Sequence, residues 1–182
     1  MVISREKVIY VNKLKIILLI IVACVFVAVG VWFLILDAQS IESNKSLDSL
    51  SLVSLVGLVG ILFFGLCALM GLIKLFDKSP GLILNETGIL DNSSGVSVGV
   101  IPWSEVVGIN QYQVQQQRFV SIMVQNPEKY INTGNALKRM ANRANFKMSG
   151  TPINISANSL KISYEELLDI IEAFYRKSRE NA

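Results

Sequence analysis

Two uncharged apolar runs constrain this chain more than any other feature. The first, KIILLIIVACVFVAVGVWFLIL, extends from Lys15 to Leu36 and carries no charge after Lys15. The second, LSLVSLVGLVGILFFGLCALMGLI, extends from Leu50 to Ile73 and carries none. Each exceeds the roughly 20 residues a helix needs to cross about 30 Å of hydrocarbon. Leu, Ile, Val and Phe each favour insertion by about 0.3 to 0.6 kcal/mol near a span's centre, so the first run gains on the order of 5 to 9 kcal/mol. A cleaved signal peptide competes for that run, but the apolar part is too long and no A-x-A-like site follows. The sequence therefore predicts a transmembrane helical hairpin over 16–75, with spans at about 16–36 and 51–75 and a short external loop over 37–50.

Charge sets the expected orientation. Arg5, Lys7, Lys13 and Lys15 precede the first run against Glu6 alone, and Lys74 and Lys78 follow the second. Between the runs Lys45 is the single cation, beside Asp37, Glu42 and Asp48. The positive-inside rule then puts 1–15, a basic N-terminus, and everything after the second span in the cytoplasm. The expected location is a bacterial inner (plasma) membrane, crossed twice. Neither run holds an ionisable residue at depth, which argues against an ion path or proton relay. Cys24 and Cys67 lie at similar depth and read as small apolar residues rather than a disulfide. Gly57, Gly60, Gly65, Ala68 and Gly71 let helix backbones approach closely, and are expected to pack the two spans together, with self-association as the lesser use.

From about Ser79 the pattern changes. SPGLILNETGILDNSSG reads as a β-hairpin about an Asn-Glu-Thr-Gly turn. VSVGVI at 96–101 alternates as a half-buried strand does, and Pro102 cannot donate to a ladder, so a bend is expected there. EVVGINQYQV resumes an extended pattern, and RFVSIMVQ places Val120, Ile122 and Val124 on one face. Pro127 and Glu128 open a helical turn, since proline suits the first helical position. A second helix follows Gly134-Asn135, with Leu137, Met140, Ala141 and Ala144 recurring at three- and four-residue spacing. TPINISANSLKIS is extended. Ser163 and Glu166 form a capping-box pattern for a last helix whose Leu167, Ile170, Ile171 and Phe174 make one stripe that needs a sheet to cover. Several antiparallel strands with a closing amphipathic helix over 79–182 make an α+β domain.

The juxtamembrane LILNETGILDNSSG, the IPWSEV corner, VQNPEKY, and TPINISANSLKIS before a final helix resemble a family of small, uncharacterised bacterial membrane proteins. Its members have two N-terminal spans and a cytoplasmic domain similar to a bacterial pleckstrin-homology (PH) domain. The resemblance covers nearly the whole chain and implies a PH-like, partly open antiparallel barrel capped by the C-terminal helix. It implies no catalytic residues.

Two places are candidates for contact with something else. Trp103 and Glu105 sit just after Pro102: the indole is either an exposed platform or a buried aromatic offering its N–H to a carbonyl. The repetition of this corner in the resembling domains favours architecture. Between Lys129 and Lys147 lie Lys129, Lys138, Arg139, Arg143 and Lys147 with no acidic residue. Lys138, Arg139 and Arg143 are expected to share a helical side with Lys147 beyond them. Near anionic lipid headgroups each charge would contribute about 1 kcal/mol. Nucleic acid is not the expected partner, because ten Lys and Arg from residue 79 onward face nine Asp and Glu. Glu165, Glu166, Asp169 and Glu172 read as helix-start carboxylates rather than a metal site. The chain contains no histidine, and zinc-type spacing and a phosphate-binding loop are missing. The expectation is a non-enzymatic protein without metal or cofactor, presenting its domain to a protein partner or an anionic lipid surface. An immunity role against a toxin, or service as an accessory subunit of a larger membrane complex, are the alternatives.

Overall fold

The two apolar runs form helices α1 (Lys13–Asn44) and α2 (Leu52–Phe76) in the computed structural model, which describes residues 6–44 and 51–180. Over Lys13–Ala38 and Leu52–Phe76 the mean hydropathy is 3.2 and 2.7, and both helices are long and apolar enough to cross a membrane. Residues 37–44, expected in the external loop, continue α1. DAQSIESN contains neither glycine nor proline, so nothing in it interrupts the helical ladder. Arg5, Lys45 and Asp48, which enter the charge argument, lie outside the described residues.

Within this helical unit, residues 13–78, close packing depends on particular glycines. A Cβ on Gly57 would sit 2.8 Å from the Gly30 carbonyl oxygen, and one on Gly71 would sit 2.8 Å from Ile20. Gly60 and Gly65 have open space where a side chain would be, so they are not the contact points the small-residue spacing suggests. Phe26 stacks on Phe64 with centroids 4.3 Å apart. Ser54 Oγ donates to the Asp37 carboxylate, and Ser51 caps α2 by accepting from the Ser54 N–H at 3.2 Å. Both cysteines are free thiols.

The second unit is assembled from both flanks of the hairpin: the segment up to Asn12 and the chain from Ser79 on. Residues 6–9, which the charge pattern assigns to a basic tail, form strand β1 (Glu6–Ile9). This strand pairs antiparallel with β2 (Leu82–Asn85), in register Glu6↔Asn85 through Ile9↔Leu82. Strands β3 (Gly88–Asp91) and β4 (Gly99–Pro102) complete a four-stranded antiparallel sheet in the order β1-β2-β3-β4. Residues 10–12 continue alongside residues 159–161, with Val11 bridged to Leu160. Asn12 N–H donates to Ser159 O and Lys161 N–H to Tyr10 O, each at 2.9 Å. A ladder partner about 75 residues away leaves no local signal, so the strand is invisible to sequence periodicity.

The β2–β3 turn forms as expected, with Asn85 Oδ1 accepting from the N–H groups of Thr87 and Gly88 at 3.0 and 3.1 Å. At Gly88 a Cβ would strike the Ile101 carbonyl, which fixes glycine there. The expected strand over 96–101 begins only at Gly99, because Ser94 and Ser97 close a hydrogen-bonded turn ahead of it. After Pro102 a 3-10 turn, Trp103–Glu105, leads into β5 (Val106–Val114), β6 (Gln117–Val124) and, later in the chain, β7 (Ile153–Ile155). These make a three-stranded antiparallel sheet in the order β5-β6-β7.

Helix α3 (Pro127–Ile131) and helix α4 (Ala136–Ser149) are inserted between β6 and β7, and helix α5 (Tyr164–Glu180) closes the domain. Val120, Ile122 and Val124 point inward and are buried. Leu167, Ile171 and Phe174 of α5 meet them together with Leu82, Leu84, Ile89 and Ile101 of the first sheet. One core therefore joins both sheets under a single helix, an α+β arrangement in which α5 hides an otherwise wet sheet face. Ser163 caps α5, accepting from the Glu166 N–H at 3.2 Å.

Candidate functional site

The corner after Pro102 is built inward. Trp103 is 4% exposed, and its indole N–H donates to Asn85 O at 2.8 Å. A buried indole needs such an acceptor, and the β2–β3 turn supplies it. Two residues on, Glu105 accepts from Lys129 Nζ at 2.5 Å and from the Tyr130 hydroxyl at 2.8 Å. Those two donors hold its carboxyl below the usual glutamate range. Burial first, and then the bond to Glu105, push the Tyr130 phenol well above its ordinary value. Trp103 and Glu105 thus bind the start of β5 to the first sheet and to α3, and Lys129 is engaged there.

Two carboxylates on the acidic side of α5 are also committed. Glu165 accepts from Arg118 at 2.6 Å, and Glu166 lies 3.8 Å from Lys7 of β1. Its own backbone N–H, then Arg118, lower Glu165. An open cleft of about 500 Å³ beside the β5–β6 turn is lined by Tyr112, Phe119, Met148 and a set of Gln and Asn side chains. Its lining contains no carboxylate, amine, thiol or serine that would start nucleophilic or acid–base chemistry.

Helix α4 differs from every other element of the domain. Asn135 caps it through the Lys138 N–H at 2.9 Å, and Gly150, at φ +79°, ends it in the left-handed conformation that glycine takes without strain. At 100° per residue its side chains divide into three faces. The inner face is mostly polar, with Ala141 and Phe146 half-buried beside the polar residues. Asn142 is 1% exposed with its amide toward Tyr130 O at 3.4 Å, the Ser149 hydroxyl lies 3.0 Å from both Asn145 O and Thr151 O, either of which can accept its one proton, and Lys138 is half-buried with Nζ 3.4 Å from Ser97 O. A second face, of Leu137, Met140, Ala144 and Met148, looks outward, with Leu137, Met140 and Met148 at 64, 65 and 59% exposed. The third carries Arg139, Arg143 and Lys147, all exposed.

Lys138 therefore does not share a side with Arg139 and Arg143, as the spacing argument has it. The i, i+4, i+8 set is Arg139, Arg143 and Lys147. Among the described residues none of these three is in an ion pair, and from Lys129 to Tyr164 the sequence has no acidic residue. Leu137, Met140 and Met148 complete the site and are missed as outward residues by sequence reasoning. Periodicity names the residues that share a face, not the direction in which that face points. The recurrence of Lys138, Asn142, Asn145 and Ser149 on another side is the signal that α4 rests on a mostly polar face. Compared with known proteins, the chain matches no family model, no curated protein and no solved structure.

Proposed function

We infer that this chain is a non-enzymatic, two-span protein of a bacterial inner membrane that holds a PH-like binding domain at the cytoplasmic face. The observation that carries the reading is the β1–β2 ladder, formed by residues immediately before and after the apolar hairpin. Segments hydrogen-bonded to each other must lie on one side of a bilayer, so an inserted hairpin crosses an even number of times. Lys7, Lys13, Lys74 and Lys78 on those flanks favour the cytoplasmic side. Four plus three antiparallel strands closed by a C-terminal helix support the PH-like assignment. Three residues join β1 to α1 and five join α2 to β2, so the domain is tethered closely and a partner at the membrane meets it at high effective concentration. The committed side chains around Glu105 and Glu165, and the uncharged lining of the cleft beside the β5–β6 turn, favour binding over catalysis at those places.

Labelling with a membrane-impermeant maleimide tests this in a Cys24→Ser, Cys67→Ser background. Val8→Cys and Asp169→Cys are expected to react only after permeabilisation, and a cysteine between α1 and α2 to react in intact cells. Reaction of the first two from outside would overturn the reading. Capture of the tagged full-length protein from cross-linked native membranes then reports the protein or anionic lipid it retains.

A further inference from the structure

We propose that α4 is an interfacial helix: its Leu137, Met140, Ala144 and Met148 face enters an anionic lipid surface while Arg139, Arg143 and Lys147 engage the headgroups. The inference rests on the two-span reading and names what that domain binds.

Helix α4 reverses the usual orientation of a surface helix. A helix on a globular core normally turns its apolar stripe inward and its polar residues to water. In α4 the side that rests on the domain is Lys138, Asn142, Asn145 and Ser149 with Phe146 and Ala141 half-buried among them, and the stripe of Leu137, Met140, Ala144 and Met148 is left outside. Among the exposed apolar side chains of the described domain, the Leu137, Met140 and Met148 set is held in line on one helix. With Ala144 they fall within an arc of about 80° and extend about 17 Å along the axis, a straight apolar stripe whose Met148 end borders the cleft beside the β5–β6 turn. A straight exposed stripe fits a plane.

Charge selects which plane. The cationic face adjoins the apolar one, with Lys147 next to Met140 around the helix, and no carboxylate on α4 offsets it. This is the distribution of helices that lie in the bilayer interface: basic residues at headgroup level, and apolar residues about 5–10 Å deeper. A protein groove would need complementary acidic walls on an unknown partner, whereas the hairpin gives the chain an apolar phase with an anionic rim. The lysines that do not contribute are accounted for: Lys129 pairs with Glu105, and Lys138 turns toward Ser97. Packing of α4 through its other side leaves the stripe available without unfolding any part of the core.

The test uses full-length protein in phosphatidylcholine vesicles with or without phosphatidylglycerol, labelled with an environment-sensitive bimane at one cysteine at a time. Three positions are compared: the native Cys67 of α2 (with Cys24→Ser), and Met140→Cys and Asp169→Cys, each with both native cysteines changed to serine. Nitroxide-bearing lipids quench a label in the bilayer and iodide quenches one in water. The label at 140 is expected to be quenched by lipid when phosphatidylglycerol is present, and less so at raised salt. The label at 169 is expected to stay iodide-accessible. Changing Arg139, Arg143 and Lys147 together to glutamine should lower the docked-to-undocked ratio at 140 on the order of a hundredfold. A label at 140 that iodide quenches as strongly as the label at 169, while Cys67 is quenched by lipid, overturns this proposal and leaves the two-span reading standing. Failure of lipid to quench Cys67 overturns both.

Discussion

Glu105 shows how much of this domain rests on single polar contacts. Its carboxylate is the acceptor for a buried tyrosine hydroxyl, so Glu105→Ala leaves that hydroxyl without a partner. The expected cost is about 1–3 kcal/mol in denaturant unfolding of the purified protein. A double-mutant cycle separates this from lost packing: in the Glu105→Ala background, Tyr130→Phe should cost less than it does in the wild type. Acid should act on the same bond. Lys129 and Tyr130 lower the folded-state pKa of Glu105, so the stability it supplies is complete above the ordinary glutamate value and is lost as pH falls through the folded value. The stability gap between wild type and Glu105→Gln is therefore expected to close as pH is lowered from about 7 to about 3. Trp103 marks a limit of sequence reading at this scale. Its aromatic character is plain, but its fate depends on the carbonyl of Asn85, presented by a turn on another strand.

Elements whose sequence carries its own period are legible. The alternation of Val120, Ile122 and Val124 gives β6, and the Leu167, Ile171 and Phe174 stripe behind a serine cap gives α5. Elements defined by what they rest on are not. Helix α4 is evident as a helix, yet its outward apolar face follows from which side rests on the domain, Lys138, Asn142, Asn145, Phe146 and Ser149. The glycines of α2 behave the same way: they suggest helix packing, while only Gly57 and Gly71 meet α1 closely. Gly57→Leu should force the helices apart and destabilise the hairpin by about 1–3 kcal/mol, as overpacking does. Gly60→Leu, with open space at that point, should be tolerated. Thermal stability of the two variants in one detergent separates these outcomes.

At the scale of the molecule, the chain leaves a domain after one strand, makes an apolar hairpin, and returns to finish the same sheet. The contiguous division into tail, hairpin and domain misses this, because β1 is four residues, Glu-Lys-Val-Ile, whose pairing energy comes from a strand on the far side of the hairpin. A domain built from both flanks is joined to the hairpin by two short covalent connections. The cross-strand pair Val8↔Ile83 tests this construction most directly. Facing residues in an antiparallel pair have Cβ atoms about 4.5–5.5 Å apart, close enough for oxidation to join cysteines placed there. In membranes carrying Val8→Cys and Ile83→Cys without the native cysteines, mild oxidation is expected to form an intrachain disulfide, so that cleavage between α1 and α2 leaves the halves joined until reduction. Two cysteines that both remain open to maleimide after oxidation, with the cleaved halves separating, would contradict the paired flanks and the single domain built on them.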